Sequence, residues 1–262
     1  MVAKIKVQAK SLLFCEEKFG DLMSIFEVSL LACFILYPIL SALLIVFYFW
    51  YKDKYEREPI RLVLKMFIWG STIAIVVAVF LEVLIICILT SLIPPEVLGV
   101  IFPIVIAPLV EEYAKGRGIV RLRKNPEYEG MMDGIVYGVA IGAGFGLTEN
   151  ILYGLNALIL GGMLSAVLII VIRSSLEIIG HPFYTSWIGG EVGLQKMYGK
   201  GGYWNGYIAA VTLHGIWNSI MIIAIYNEVL ALLIWFLVIC VYVYLLRRRL
   251  KIALRLEKEI YE

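Results

Sequence analysis

Long apolar runs alternate with short polar connections along most of this chain. Seven of these runs, near residues 29–51, 66–93, 97–119, 133–160, 163–188, 204–226 and 228–246, are long enough to cross a bilayer, which takes about 20 mostly apolar residues of helix. The pattern predicts an all-α polytopic membrane protein of about seven transmembrane helices. The first, second and seventh runs, with stretches such as LLIVFYFW and ALLIWFLVICVYVYLL, read as plain lipid-facing anchors whose only internal charge is Glu82. Residues 1–28 follow a different pattern. There Leu12, Phe19, Met23, Phe26 and Leu30 recur at helical spacing among Lys and Glu, which predicts an interfacial amphipathic segment ahead of a bundle over 29–262.

Composition agrees with the membrane reading, because 61% hydrophobic and 17% charged residues depart from the roughly 45–50% and 25% of soluble domains. A net charge of +2 gives no reason to expect nucleic acid as a partner. Cys15, Cys33, Cys87 and Cys240 are scattered without CxxC spacing, so neither a disulfide framework nor a thiolate metal site is indicated. Charge does bear on topology. The connections after runs one, three and five carry Lys52, Lys54, Arg57, Arg61 and Lys65, then Arg117, Arg121, Arg123 and Lys124, then Lys196 and Lys200, and the tail carries Arg247 to Arg249 and Lys251. The links after runs two, four and six hold no Lys or Arg. This alternation predicts a multi-pass cell-membrane protein with a cytoplasmic C-terminus and an external N-terminus.

Against that apolar background several side chains are out of place, since a charge near the bilayer centre costs about 2.5–3.5 kcal/mol even on insertion scales. Glu111, Glu112, Lys115, Glu149, Asn150, Arg173, Glu177, His181, His214 and Asn218 all fall in or at the edge of runs three to six, and both histidines of the chain are among them. Singly, most have plain readings. Glu111 and Glu112 suit a helix end with Lys115 and Arg117 as partners, His214 and Asn218 an interhelical hydrogen bond, His181 a bond to a backbone carbonyl, and Arg173 with Glu177 an ion pair on one turn. Glu149 does not, because with no basic neighbour on its own helix it must be protonated, metal-bound or paired across helices. Gly138, Gly142 and Gly146 repeat every four residues, with Gly134 and Gly154 on the same face, which predicts close backbone packing beside that acid.

Four segments in order carry a resemblance: EEYAK from Glu111, DGIVYGVAIGAGFGLTEN from Asp133 to Asn150, Arg173 to His181 continuing to Gly189, and HGIWN from His214 to Asn218. Over roughly residues 100–225 the chain resembles the PrsW-type intramembrane peptidases, which share features with the CAAX prenyl endopeptidase and bacteriocin-immunity group. The resemblance implies hydrolysis of a peptide bond in or beside the bilayer, in a membrane-anchored protein or peptide. It maps the catalytic set onto Glu111, Glu112, Glu149, His181, His214 and Asn218. A carboxylate suits the role of general base to water, and His and Asn suit stabilisation of an oxyanion. Equally, a carboxylate with two imidazoles, Glu149 with His181 and His214, is a sufficient ligand set for a divalent metal, zinc first among them. No HExxH is present, and no serine or cysteine stands in a nucleophile context. Two other functions compete: an ion-coupled transporter, against which stands the lack of matching inverted halves, and a non-catalytic membrane scaffold, which would have lost the polar groups retained here.

Overall fold

In lipid every backbone polar group needs an internal partner, so apolar runs of this length fold as helices. The computed structural model describes residues 2–176 and 180–262, with side chains from Ser24 to Ile260 and at Glu262, save 177–179. Within these residues the chain forms α1 (Val2–Lys52), α2 (Ile60–Leu89), α3 (Pro95–Leu122), α4 (Met131–Leu176), α5 (Gly180–Tyr198), α6 (Tyr203–Tyr226) and α7 (Glu228–Tyr261), and no strand. Among the described residues six helical runs are long and apolar enough to cross a bilayer. One of them, Met131–Tyr198, has 68 residues, more than twice a single crossing.

That run is a hairpin. Gly162 interrupts α4 with φ 77° and ψ −177°, a conformation open to glycine, and divides it into α4a (131–161) and α4b (163–176). Beyond the break the chain returns along its own path. A Cβ at Gly134 would meet the Gly189 carbonyl oxygen at 2.2 Å, one at Gly138 the Thr185 oxygen at 2.6 Å, one at Gly142 the His181 oxygen at 2.3 Å, and one at Gly193 the Gly130 oxygen at 2.0 Å. The glycine stripe expected to admit a neighbouring backbone thus admits the second arm of its own hairpin. Counting both arms, the bundle has seven helical arms. Every residue from 131 to 146 is buried, so α4a is the central helix, packed by α1, α2 and α5.

The proposed boundary at residue 28 is not a break in the backbone: α1 runs through it as one helix, and the side chains of Leu12, Phe19 and Met23 lie outside the described residues. The basic connections gather at one end of the bundle. Lys196 Nζ donates to the Asn125 carbonyl at 3.0 Å and also to that of Tyr128. Trp50 Nε1 donates to the Glu58 carbonyl at 2.8 Å, closing the loop after α1.

One local irregularity prepares the site. Residues Phe102–Ile106 of α3 form a π-helical turn, in which the Ala107 N–H reaches back five residues to the Phe102 carbonyl. The next donor in that register would be residue 108, which is Pro108 and has no N–H, leaving the Pro103 carbonyl without its helical partner. Asn218 of α6 supplies the missing donor, Nδ2 to the Pro103 oxygen at 2.8 Å. The repair ties α3 to α6 about two turns ahead of Glu111.

Candidate active site

Glu111 and Glu112 on α3, Glu149 on α4a, His181 on α5 and His214 on α6 converge in the middle of the bundle. Between them sits the Lys115 ammonium, 3.3 Å from Glu111 Oε2, 2.6 Å from Glu112 Oε1 and 2.9 Å from His181 Nδ1. An ammonium has only donors, so His181 Nδ1 accepts, the ring is the Nε2–H tautomer, and Nε2 donates to Glu149 Oε2 at 2.6 Å. Glu149 is therefore paired across helices, and its second partner is Arg173 of α4b, whose Nη2 lies 3.2 Å from the same oxygen. Arg173 also donates through Nε to Asn150 Oδ1 at 3.0 Å, and its guanidinium covers the Tyr153 ring at 3.7 Å. The expected Arg173–Glu177 pair falls on a residue outside those described; what the sequence did not suggest is that Arg173 reaches back over the hairpin to Glu149.

The two adjacent glutamates differ in surroundings. Glu112 is fully buried, with Oε1 taken by Lys115 and by His214 Nδ1 at 3.0 Å and Oε2 by the Thr185 hydroxyl at 3.2 Å. Glu111 lies one step round the helix and lines a cavity of about 510 Å³. That cavity is also lined by Glu82, Glu149, Arg173, His181, His214 and Asn218. Glu82, the exception in an otherwise plain anchor helix, thus belongs to the same space. The cavity reaches the outer face of the bundle, where its lining residues Val79, Tyr153, Ile172 and Met221 are exposed. Aromatic rings hold the imidazoles from the side: Tyr184 stacks on His214 with centroids 4.8 Å apart, and Phe145 lies 5.2 Å from His181.

Metal-ligating atoms of Glu111, His181 and His214 all lie within 4.8 Å of one another. The carboxylate of this group is Glu111, whereas Glu149, which the sequence reading placed with the histidines, sits on the far nitrogen of His181. Two imidazoles and one carboxylate are a donor set of catalytic zinc, whose ligands at about 2.0–2.1 Å stand roughly 3.4 Å apart. The group fits in donor type and needs about an ångström of contraction. A carboxylate behind a ligating imidazole, as Glu149 is behind His181, is the usual outer support of such a ligand. Lys115 and a metal would be alternatives at His181 Nδ1, because both need its lone pair.

Comparison with known proteins adds family membership to this geometry. A family model described as "PrsW family intramembrane metalloprotease" matches residues 58–246. Among curated proteins, the chain is 27% identical over 181 residues to "Protease PrsW" of Geobacillus kaustophilus (strain HTA426), covering 67% of this chain and 73% of that one. It is 27% identical over 210 residues to "Protease PrsW" of Clostridioides difficile (strain 630), covering 78% and 85%. No solved structure matches.

Proposed function

The chain belongs to the PrsW family of intramembrane metalloproteases, and from that premise we propose that it hydrolyses a peptide bond of a membrane-anchored protein or peptide at the Glu111–Glu149–His181–His214 cavity. The observation that carries this reading is the cavity itself, which gathers Glu82, Glu111, Glu149 and both histidines among membrane-spanning helices and opens on their outer face. A substrate segment in the bilayer can reach the site sideways, without passing through water.

Each side chain has a task that its contacts suggest. Glu111, His181 and His214 would hold the divalent ion, zinc by donor type, which when bound polarises a carbonyl and lowers the pKa of water. Glu149 fixes the His181 tautomer through Nε2–H, and Arg173 fixes Glu149. Glu112 orients His214 through Nδ1, the ring nitrogen that also lies 4.0 Å from Glu111 Oε2, so an ion held there would take the place of that hydrogen bond. With both its oxygens engaged, Glu112 is a positioning residue. Acceptance of a proton from water falls to the cavity-lining carboxylates; with Glu111 assigned to the ion that leaves Glu82 and Glu149, of which Glu149 is the one bonded to His181. Lys115 balances the negative charge of the cluster, and Asn218 holds the turn that presents Glu111. The transporter and scaffold readings lose ground to family membership, and the polar groups that a scaffold would have shed are all present.

The test uses purified full-length protein in liposomes with a membrane-anchored test peptide. Cleavage is expected, with about one zinc per chain, loss on chelation and recovery on adding zinc. Glu111→Gln should lose both metal and turnover, and Glu149→Gln should keep metal and lose turnover. Full cleavage after exhaustive chelation would sink the metal reading, and full cleavage by folded His214→Ala would sink the site.

A further inference from the structure

A second buried cluster lies at the end of the bundle that carries the basic loops. Asp53 from the loop after α1, Asp133 from the first turn of α4 and Glu257 from the last turns of α7 bring one carboxylate oxygen each to within 4.8 Å of one another. Asp53 is 0% exposed, Asp133 7% and Glu257 4%. Asp133 has one settled role, since its Oδ2 accepts from the Glu129 and Gly130 backbone N–H groups at 2.5 and 2.8 Å, capping α4. Among the described residues neither Asp53 oxygen has a hydrogen-bond partner, and neither does Glu257 Oε2. A fourth acid, Glu58, borders the group and takes the Tyr137 hydroxyl. Among the described residues no Lys or Arg lies within ion-pair distance of any of the four.

Buried polar groups without partners are rare in native proteins because each forfeits its hydration, and buried carboxylates facing one another add mutual repulsion. Burial and the charge of Asp133 push the Asp53 carboxyl up to about 7 and that of Glu58 up to about 10; the Glu58 backbone N–H eases Asp53 only from outside hydrogen-bond geometry. Helix capping accounts for Asp133 alone. What remains is an all-oxygen donor set converging from three separate elements, with unpartnered and fully buried oxygens aimed into it.

We propose that Asp53, Asp133 and Glu257 form a binding site for a hard divalent cation of calcium size, distinct from the Glu111–His181–His214 group, which fastens the end of α7 and the loop after α1 to the start of α4. The donor type selects the class of ion, because carboxylate oxygens without nitrogen or sulfur suit calcium, magnesium or manganese rather than zinc. The spacing selects the size. Oxygens up to 4.8 Å apart fit on opposite sides of an ion bound at about 2.4 Å, the calcium range, while magnesium at about 2.0–2.1 Å would require the three elements to move inward. Bound there, the cation would remove the repulsion and pin the N-terminal end of the central helix, which carries Glu149 about five turns further on.

The experiment uses chelator-stripped full-length protein in detergent, with terbium as a luminescent calcium analogue and thermal unfolding as a second readout. Nearby Tyr137 should sensitise terbium emission, calcium should displace it, and calcium should raise the melting temperature more than equal magnesium. Asp53→Asn and, independently, Glu257→Gln should each weaken calcium binding by about tenfold or more, since ligand charge sets affinity, while His214→Ala keeps the full response. Both amides remove an uncompensated charge, so folding should hold. Overturning results are a wild type that answers neither terbium nor calcium, a calcium response equal in wild type and both amide variants, a response lost only in His214→Ala, or magnesium matching calcium.

Discussion

Two triads of nearly the same size occupy the interior of this protein, and they differ in how their charge is met. Ligand atoms of Glu111, His181 and His214 lie within 4.8 Å of one another, as do those of Asp53, Asp133 and Glu257. Around the first, Lys115 and Arg173 stand against Glu111, Glu112 and Glu149, and each of these three carboxylates has at least one oxygen engaged. Around the second, no basic side chain among the described residues comes within ion-pair distance. The lesson concerns what a buried carboxylate requires. Deep in the bundle it is kept by cations that the same fold supplies, and the resulting network orients two imidazoles; at the end of the bundle it is kept without them, which makes that end dependent on a proton or a cation from outside.

The largest effect expected is on activity. Glu111→Gln, His181→Ala and His214→Ala should each lower cleavage of a membrane-anchored peptide by about 10²–10⁴-fold, the usual worth of one acid–base or oxyanion-stabilising group. Asp53→Asn should leave cleavage by chelated and re-zincated protein within about twofold of wild type, because it touches none of these groups. If loss at Asp53 equals loss at His214, the two triads act as one unit and the comparison breaks down.

Next in size is a difference in sign between two identical substitutions. Glu112→Gln removes the charge that meets Lys115 and His214, and breaking a buried pair from one side costs about 3–5 kcal/mol. Glu257→Gln removes a buried charge that no cation of the chain meets, so in chelated protein its melting temperature should stay level or rise. Thermal melts of both variants in one detergent decide the matter. An equal fall in both would mean that Glu257 has a partner of equal worth.

These contrasts separate what was legible in the sequence from what was not. The all-helical membrane fold followed from apolar run length, and the break at Gly162 falls in the short link between runs four and five. The convergence of Glu111, Glu149, His181 and His214 followed from the cost of leaving each alone in lipid. Partner identity did not follow, because sequence spacing reports only neighbours on one helix: it offered Lys115 for Glu111, which the structure has, but could not reveal Arg173 crossing the hairpin to Glu149. For the same reason spacing alone does not tell which carboxylate, Glu111 or Glu149, stands nearest both histidines. The second triad was unreadable in principle. Asp53 beside Lys52 and Lys54, and Glu257 between Arg255 and Lys258, look like ordinary solvated charges, and Asp133 like the polar start of an apolar run, until the end of α1, the start of α4 and the end of α7 are brought together.

Backbone packing offers a sharper test of how the first triad is held. A Cβ at Gly142 would stand 2.3 Å from the His181 carbonyl oxygen, so Gly142→Ala forces the hairpin arms apart beside the ligand. Overpacking of this kind costs about 1–3 kcal/mol, and a displacement near an ångström at a reacting group costs up to about 10²-fold in rate. Gly99 provides the control, having nothing within 4 Å of its Cβ position. Gly99→Ala should change neither stability nor cleavage, and a matching loss there would remove the hairpin from the explanation.

The smallest effect expected tests whether the network around Glu112 has redundancy. Thr185 is fully buried and its hydroxyl donates to Glu112 Oε2 at 3.2 Å, while Lys115 and His214 hold the other oxygen. Thr185→Val keeps the shape and removes that single donor. Hydrogen bonds between membrane helices average about 0.6 kcal/mol and reach roughly 1.7, so the melting temperature should drop only slightly. Cleavage should fall less than tenfold, since the contact orienting His214 is made by Oε1 and survives. Thr185→Ser restores the donor and should recover most of the loss, whereas a merely steric role would leave Ser as poor as or poorer than Val, having removed the methyl group as well. Combining Thr185→Val with Glu112→Gln should cost little more than Glu112→Gln alone, because the hydroxyl then has no carboxylate to serve. A strictly additive double variant would mean that Thr185 acts on the hairpin and not through Glu112.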